Sequence, residues 1–348
     1  MTIYIGNTAI GSDHPPFIIA EISGNHNQSI DRAIQIVEAA HKAKVHAVKL
    51  QTYTADTMTL NISEGIFRIN DANSIWNGKN LYELYHEAHT PWEWHKEIFD
   101  RCNALKLLCF STAFDFSSVD FLEKLNAPAY KIASPEILDI PLIQKVASTG
   151  KPIIISTGMA NVREIAEAVE TASKAGCKDL ILLKCTSAYP ASPKDSNVAT
   201  IPHMKDLFGV EVGISDHTLG IGVPLAAIAL GATVVEKHIT LKRSDGGVDA
   251  AFSLEPEEFG HLVSESVRVW DSIGKVQYGP VKNEEGAIKF RRSLYFIKDL
   301  QKGDIISEDA IRSLRPGEGI SPKYFDIVVG KMVNRDVKKG EPVLWDLL

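Results

Sequence analysis

Cysteine, positive charge and long apolar runs are all scarce in this chain. Its four cysteines are spread over 348 residues without C-x-x-C spacing, which argues against a disulfide framework and against a zinc knuckle. A formal net charge of −7 disfavours a nucleic-acid partner, since such proteins carry a basic face. No apolar run reaches the roughly 18 residues that span a membrane, and the first residues lack the pattern of a signal peptide. We therefore expect a cytoplasmic protein without a membrane partner.

Short apolar runs, rich in β-branched residues, alternate with longer segments of helical periodicity. Runs without polar alternation are typical of parallel strands that are covered on both faces. Eight strands, each followed by a helical or connecting segment, predict a (β/α)8 TIM barrel. A doubly wound open sheet is the alternative. The runs occupy residues 17–22, 46–51, 107–112, 129–134, 152–157, 180–185, 210–215 and 233–238.

Two stretches depart from this alternation. The segment from Tyr53 to about Thr90 is too long for a plain βα loop, so we expect a lid or a pocket wall there. After about residue 275 a polar, glycine-containing stretch indicates a linker. A short β-rich unit follows, in which residues 298–307 and 335–344 have similar sequences, a weak internal repeat that we call the sequence echo. The predicted boundaries are a barrel domain at 1–276, a linker at 277–290 and a small β domain at 291–348, which we expect to dock on another surface because so small a unit is marginal alone.

Polar side chains end every one of the eight runs. Active sites of such barrels form at the C-terminal ends of the strands, so this pattern favours an enzyme. Lys49 and Lys131, together with several hydroxyl groups, suit an anionic ligand that carries a phosphate and a carboxylate. The hydroxyl groups belong to Thr112, Ser134, Ser156 and Ser215; some serines and threonines at strand ends are expected to cap the next helix instead.

His217 and His238 end two successive strands. A lone histidine at such a position is more often a hydrogen-bonded structural residue, but two at adjacent ends can share a divalent metal. We expect the acids Glu21, Asp216 and Glu236 to lie on the same face. A metal acting as a Lewis acid beside a cationic cradle fits the addition of a phosphorylated enol to a carbonyl. Lys131 could alternatively form a Schiff base, as in barrel aldolases.

Nine motifs, in order along nearly the whole chain, resemble those of the sialic acid synthase family. They are "IAEISGNHNQS" (19–29), "KLQTYTADT" (49–57), "FSTAFD" (110–115), "YKIASPE" (130–136), "ISTGMA" (155–160), "KCTSAYP" (184–190), "GISDHTLG" (213–220), "EKH" (236–238) and "LRPGEGI" (314–320). Within the family, "EISGNHNQS", "KLQTYTADTMTL" and "LYELYHEAHTPWEWH" are similar to the branch that makes pseudaminic acid.

This resemblance implies condensation of phosphoenolpyruvate with 2,4-diacetamido-2,4,6-trideoxy-altrose and water, giving pseudaminic acid and phosphate. It also implies a barrel followed by an antifreeze-like (SAF) domain, in a domain-swapped homodimer. His217 and His238 would bind Mn²⁺ or Mg²⁺, and the catalytic residues would be Glu21, Lys131, His217 and His238. Phosphoenolpyruvate would be held by Lys49, Thr112, Lys131, Ser134, Ser156 and Ser215. The sugar would face Glu21, Gln51, Glu136, Tyr189 and Asp249, with Arg315 reaching in from the partner chain.

Several points stay open in the sequence. Ser187 stands where another branch of the family has asparagine, and Asn77 aligns only loosely with an asparagine that contacts the sugar. Asp216 could orient a histidine or reach water bound to the metal. The alternatives are an N-acetylneuraminate or legionaminate synthase, a Schiff-base aldolase, and a sugar-binding protein without catalytic activity.

Overall fold

Eight parallel strands, β3 to β10, close into a barrel in the order β10-β3-β4-β5-β6-β7-β8-β9. The structure is a computed structural model that describes residues 2–72 and 74–348. It divides into two units, Met1–Gly274 and Lys275–Leu348. The predicted TIM barrel is confirmed, and the doubly wound sheet is excluded because β10 pairs with both β9 and β3.

The elements follow one another as the alternation of runs predicts. The barrel strands are β3 Phe17–Glu21, β4 Ala47–Thr52, β5 Leu108–Ala113, β6 Tyr130–Ile132, β7 Ile153–Ser156, β8 Leu180–Cys185, β9 Glu211–Asp216 and β10 Val234–His238. The helices of this unit are α1 Ile30–Lys42, α2 Ala55–Met58, α3 Leu81–Ala88, α4 Trp92–Ala104, α5 Phe116–Lys124, α6 Ile140–Ala147, α7 Val162–Lys174, α8 Thr200–Phe208, α9 Gly222–Ala229 and α10 Pro256–Ile273.

Local sequence signals fix where the helices begin. In α7 the side chain of Asn161 accepts hydrogen bonds from the backbone N–H groups of Arg163 and Glu164, and Glu164 bonds back to the Asn161 N–H. This capping box satisfies donors that the first turn leaves without partners. In α1 the N-cap is Ser29, and one face of the helix buries Ile36 and Val37 against the sheet. The helices thereby cover the outer face of the barrel.

Alternation along the strands separates the inside of the barrel from its outside. In β10, Val234 packs in the inner apolar cluster, whereas Val235 packs in the outer cluster beneath the helices. In β9 the inner position is Gly213, where an added Cβ would lie 2.2 Å from the Val234 carbonyl oxygen. Because side chains along a strand point alternately to the two faces, the residues that end each strand also alternate between the interior and the helical layer.

An N-terminal hairpin, β1 (Ile3–Ile5) and β2 (Thr8–Ile10), precedes the barrel and was not predicted. Ile3, Ile5 and Ile10 are fully buried in the inner cluster with Phe17 and Val234, which begin their strands. The hairpin therefore covers the N-terminal end of the barrel, which leaves the other end for a site.

The second unit has its own apolar core, which includes Leu294, Phe296 and Val343. Its regular elements are β11 Ser293–Phe296, β12 Ile311–Leu314 and α11 Phe325–Val328. The two segments of the sequence echo pair with each other, because Leu300 and Val337 exchange both backbone hydrogen bonds, at 3.0 and 2.9 Å.

Across residues 2–72 and 74–348, none of the helices combines the length and the apolar character needed to cross a membrane.

Candidate active site

One cavity of about 320 Å³ opens at the C-terminal ends of the barrel strands. Every residue predicted for the site, except Arg315, lines this cavity. They are Glu21, Lys49, Gln51, Thr112, Lys131, Ser134, Glu136, Ser156, Tyr189, Ser215, His217, His238 and Asp249. Arg315 follows β12 in the second unit. Residues distant in sequence are thus brought together because parallel strands all end at the same rim.

The floor of the cavity carries two buried lysines. Lys49 Nζ donates to Thr112 Oγ1 at 2.8 Å and pairs with the carboxylate of Glu21. Lys131 Nζ donates to Ser156 Oγ at 2.6 Å and to the Ile132 carbonyl oxygen at 2.9 Å. The two lysines are 3% and 2% exposed. Two buried ammonium groups next to hydroxyl groups have the chemistry that suits a phosphate and a carboxylate, and we call these groups the anion cradle.

Two carboxylates balance these lysines in the structure. Glu236 Oε1 accepts from Ser215 Oγ at 3.1 Å and lies 3.9 Å from Lys49 Nζ. Burial raises the pKa of Glu21, an effect that the ammonium group of Lys49 opposes. Because a buried carboxyl with a raised pKa accepts and releases protons nearer to neutrality, Glu21 can exchange a proton beside the anion cradle.

His217 and His238 lie at the ends of the neighbouring strands β9 and β10, with ring centroids 5.3 Å apart. His217 Nδ1 donates to the Thr186 carbonyl oxygen at 3.1 Å, which leaves its Nε2 free to bind a ligand. His238 Nδ1 has no hydrogen-bond partner among the described residues and lies 3.9 Å from Asp249 Oδ2. Burial, followed by the charge of His217, holds the pKa of His238 well below its ordinary value, so its ring is neutral.

The histidine pair fits a divalent cation whose remaining ligands come from water or substrate. An unpartnered, neutral imidazole and a second ring fixed by a carbonyl are common features of metal-binding histidines. The described part of the chain contains no group of three or more histidine, cysteine or acidic side chains arranged to hold a metal. Imidazole nitrogen is a poor ligand for Mg²⁺, which prefers oxygen, so this donor set favours Mn²⁺ of the two predicted ions.

Asp216 does not share a face with Glu21 and Glu236, so that expectation is wrong. Its carboxylate accepts from Lys237 Nζ at 2.5 Å and from the backbone N–H and hydroxyl of Thr218. Asp216 and Lys237 are directly paired in the β9–β10 register. Period-two alternation places both of them on the outer face, behind the two histidines that follow them.

The sugar-binding candidates follow several strands around the cavity. Asp249 accepts a hydrogen bond from Ser23 Oγ, a neighbour that the sequence reading did not identify. Burial raises the pKa of Glu136 to about 7, and its Oε2 has no hydrogen-bond partner in the part of the chain that the structure describes. The Tyr189 ring lies 4.5 Å from the ring of His217. The cavity therefore offers an unsatisfied carboxyl oxygen of Glu136, and it places the Tyr189 ring next to a metal-binding candidate.

The long segment after β4 also lines the cavity, in agreement with the expectation of a pocket wall, and its Trp76 ring lies 5.4 Å from the ring of Tyr189. We call this surface the apolar wall, and it consists of Met58, Ile69, Trp76, Leu81, Leu84 and Tyr85. None of these side chains was predicted as a site residue. They lie in α2, in α3 and in the irregular backbone between them, so no single periodicity points to their shared surface.

Three further residues differ in their position relative to the cavity. Cys185 is buried but lines the cavity, with its Sγ 3.9 Å from His217 Nδ1. Ser187 lies beside Gly158, where an added Cβ would be 2.3 Å from Ser187 Oγ. Asn77 is exposed, and the described lining of the cavity includes neither Asn77 nor Ser187.

Together, the barrel, the buried lysines and the histidine pair define the class, which is a TIM-barrel enzyme with an anion-binding, metal-compatible centre at its strand ends. The chain matches the NeuB family over residues 36–278 and the SAF domain over residues 291–348. It belongs to the NeuB family, the sialic acid synthases, with a SAF domain after the barrel.

Individual relatives cover nearly the whole chain. It is 41% identical to pseudaminic acid synthase of Campylobacter jejuni over 340 residues, 97% of each chain. It is 37% identical to N,N'-diacetyllegionaminic acid synthase of Legionella pneumophila over 343 residues, 97% of this chain and 95% of the relative. The crystal structure of the N-acetylneuraminic acid synthetase from Leptospira borgpetersenii is similar, with a TM-score of 0.74 and 32% identity, covering 84% of this chain and 96% of that one.

Proposed function

We propose that this enzyme condenses phosphoenolpyruvate with 2,4-diacetamido-2,4,6-trideoxy-altrose and water, giving pseudaminic acid and phosphate. The observation that carries the proposal is the convergence of the predicted residues of the barrel domain in one cavity. The 41% identity to a pseudaminic acid synthase supports the choice of sugar. We further propose that the enzyme acts in the cytoplasm, since its four cysteines are all free, as is usual in a reducing compartment.

The anionic substrate is assigned to the floor of the cavity. Lys49 and Lys131 would offset the charge of the phosphate and the carboxylate, and the hydroxyl groups of Thr112, Ser134, Ser156 and Ser215 would fix their orientation. The ion pair of Lys49 with Glu21 would then loosen, because the incoming anion competes for the ammonium group. Burial already raises the pKa of Glu21, so this carboxyl group is suited to accept a proton once phosphoenolpyruvate is bound.

The aldose is assigned to the space above that floor, with its aldehyde carbon near His217 and His238. Gln51, Glu136, Tyr189 and Asp249 would bond its hydroxyl and amide groups. His217 and His238 would hold the divalent metal, which would polarise the aldehyde oxygen as a Lewis acid when bound. The enzyme's other residues would bring the two reacting carbons together.

The methylene carbon of phosphoenolpyruvate forms a bond to the aldehyde carbon, whose oxygen becomes an alkoxide. Water adds to the resulting cationic carbon at C2, Glu21 takes one proton of that water, and this proton then passes to the alkoxide. The bond between C2 and the bridging oxygen breaks, the hydroxyl group at C2 gives its proton to the departing phosphate, and the 2-oxo acid remains. Glu21 would serve as the base, since it lies next to Lys49, where phosphoenolpyruvate would bind, and burial raises its pKa.

Isotope labelling tests the bond that breaks. With oxygen-18 at the bridging position of phosphoenolpyruvate, we expect the label in the released phosphate. Label retained in the sugar would contradict C–O cleavage. Phosphate release measured with each candidate aldose would test the sugar, and N-acetylmannosamine as the preferred substrate would identify an N-acetylneuraminate synthase instead.

Metal dependence is tested by binding as well as by turnover. We expect EDTA to abolish phosphate release and Mn²⁺ to restore it. We also expect His217→Ala to weaken Mn²⁺ binding, followed by electron paramagnetic resonance, by at least about tenfold. The control is His86→Ala, which alters an exposed histidine outside the described cavity lining. Unchanged Mn²⁺ binding in His217→Ala would remove His217 from the proposed ligands.

A Schiff-base aldolase is the second candidate, because burial lowers the pKa of Lys131. Lys131 Nζ donates hydrogen bonds to Ser156 and to the Ile132 carbonyl oxygen, and both bonds would have to change when its nitrogen attacks a carbonyl carbon. Borohydride added with substrate would trap a Schiff base on Lys131, and a mass increase of that peptide would favour the aldolase.

A further inference from the structure

The apolar wall is built as a fixed surface of the cavity. Trp76 Nε1 donates to the Val248 carbonyl oxygen at 2.9 Å, which ties the segment to the loop before Asp249. The side-chain amide of Gln28 donates to the carbonyl oxygens of Glu87 and His89, at 2.9 and 2.8 Å. The middle of the wall, at Trp76, and the residues directly after it are therefore anchored to loops of the barrel without a ligand.

The wall has little capacity to form hydrogen bonds. Met58, Ile69, Leu81 and Leu84 carry no side-chain donor, and none carries an acceptor stronger than a thioether. The indole N–H of Trp76 is already bonded to Val248. The hydroxyl group of Tyr85 is the remaining polar group on the wall. A sugar hydroxyl placed against this surface would lose its water without a new partner, whereas a methyl group would lose nothing.

The chemistry of the floor determines which end of the aldose meets the wall. Phosphoenolpyruvate and the aldehyde carbon belong with the lysines and histidines at the strand ends. The Trp76 ring lies 5.4 Å from the ring of Tyr189, which in turn lies 4.5 Å from the ring of His217. The Tyr189 ring thus lies between the wall and His217, a metal-ligand candidate. An aldose whose aldehyde carbon lies near His217 would extend its farthest carbons, C4 to C6, toward the wall.

We propose that the apolar wall recognises the deoxygenated end of the aldose, namely the methyl group at C6 and the acetamido methyl group at C4. This inference rests on the proposed function, and it assigns the choice among aldoses to residues that the reaction itself does not require. Aldoses with hydroxyl groups at C4 and C6 would bind weakly, because an apolar pocket disfavours an added hydroxyl by up to about 100-fold.

The test compares two aldoses in wall variants of the full chain. The aldoses are the 2,4-diacetamido-2,4,6-trideoxy sugar and its counterpart with hydroxyl groups at C4 and C6. The variants are Ile69→Asn and Leu81→Asn, with near-isosteric Met58→Gln as a third; all three positions are only half-buried, which favours folding. The matched control is Ile66→Asn, in the same segment but 89% exposed.

We expect wild-type kcat/KM, from phosphate release, to favour the trideoxy aldose by about 10- to 100-fold. Ile69→Asn and Leu81→Asn should lower that ratio by about tenfold, mainly through a higher KM for the trideoxy aldose. Ile66→Asn should leave the ratio within about twofold of wild type, as expected for a surface position.

Two results would overturn the inference while the proposed function stands: an unchanged ratio in all three wall variants, or an equal change in Ile66→Asn. If the wild-type enzyme released no phosphate with any aldose, the proposed function would fail and the inference with it.

Discussion

Glu136 shows at the scale of a single residue how burial prepares a group for chemistry. It lies in a short 3-10 helix, Ser134–Leu138, directly after β6. Burial raises its pKa to about 7, and the backbone hydrogen bond that favours its charged form offsets only part of this effect. Glu136 is therefore neutral below pH 7 and charged above it, and only the neutral form can donate a proton to a sugar oxygen.

Substitution of this residue should change the pH profile. We expect wild-type kcat/KM to fall as the pH rises through about 7, because the donor is lost. Glu136→Gln retains an N–H donor but cannot ionise, so the same limb of the profile should disappear. Steady-state kinetics between pH 5.5 and about 9 would check this, since a perturbed carboxyl titrates within that window.

Stability provides the control for Glu136. A carboxyl whose pKa is raised in the folded state costs stability once the pH exceeds its unfolded value, and the full cost applies above about pH 7. Glu136→Gln should therefore be at least as heat-stable as wild type at pH 8. A variant that keeps the titration near pH 7 would assign that pKa to another group.

Among the elements of the barrel, strands β9 and β10 are joined by a buried ion pair. Lys237 is fully buried, and its ammonium group bonds Asp216 and the Thr218 carbonyl oxygen. Each partner immediately precedes a metal-ligand candidate, His217 or His238. The pair thus locks the two strand ends that present the histidines, which is the structural role of Asp216.

Breaking this pair from one side should be strongly destabilising. Asp216→Asn or Lys237→Met leaves a buried charge without its partner, at a cost of about 3–5 kcal/mol. The double variant should recover part of that loss. Thermal and denaturant unfolding would measure both. The exposed pair Lys96–Asp100 provides the comparison, and its disruption should cost about 0.5 kcal/mol or less. Single variants of Asp216 and Lys237 no more costly than this comparison would refute the locking role.

The elements also show what sequence can and cannot predict. The eight strands follow from local patterns, and the structure confirms them. Asp216 was predicted on the wrong face because position at a strand end does not by itself determine the direction of a side chain. The alternation of side chains along β9 places Asp216 on the outer face. The hairpin β1–β2 carried a signal as well, a Gly6–Asn7 loop between apolar alternations.

The apolar wall is different. Its residues are spread over α2, α3 and the irregular backbone between them, and hydrogen bonds to distant loops, such as that from Trp76 to Val248, hold them together. No local pattern encodes such contacts, so the sequence predicted a wall there without predicting its members.

At the scale of the whole molecule, the chain consists of two units with separate cores. Arg315 belongs to the second unit, whereas the other proposed site residues all belong to the first. The family resemblance implies a homodimer in which Arg315 enters the site of the partner chain, and we propose that arrangement here. The alternative is that Arg315 serves the barrel of its own chain, or none.

Mixed dimers distinguish these possibilities. Lys131→Ala inactivates a barrel but leaves Arg315 intact, and Arg315→Ala does the reverse. If Arg315 acts across the dimer, co-refolding equal amounts of the two inactive variants should restore about a quarter of wild-type activity, because half of the dimers are mixed and each contains one complete site. If Arg315 acts within its own chain, no combination contains a complete site and the mixture stays inactive. Differently tagged chains, purified through both tags, would verify that mixed dimers formed, so an inactive mixed dimer would rule out the exchange.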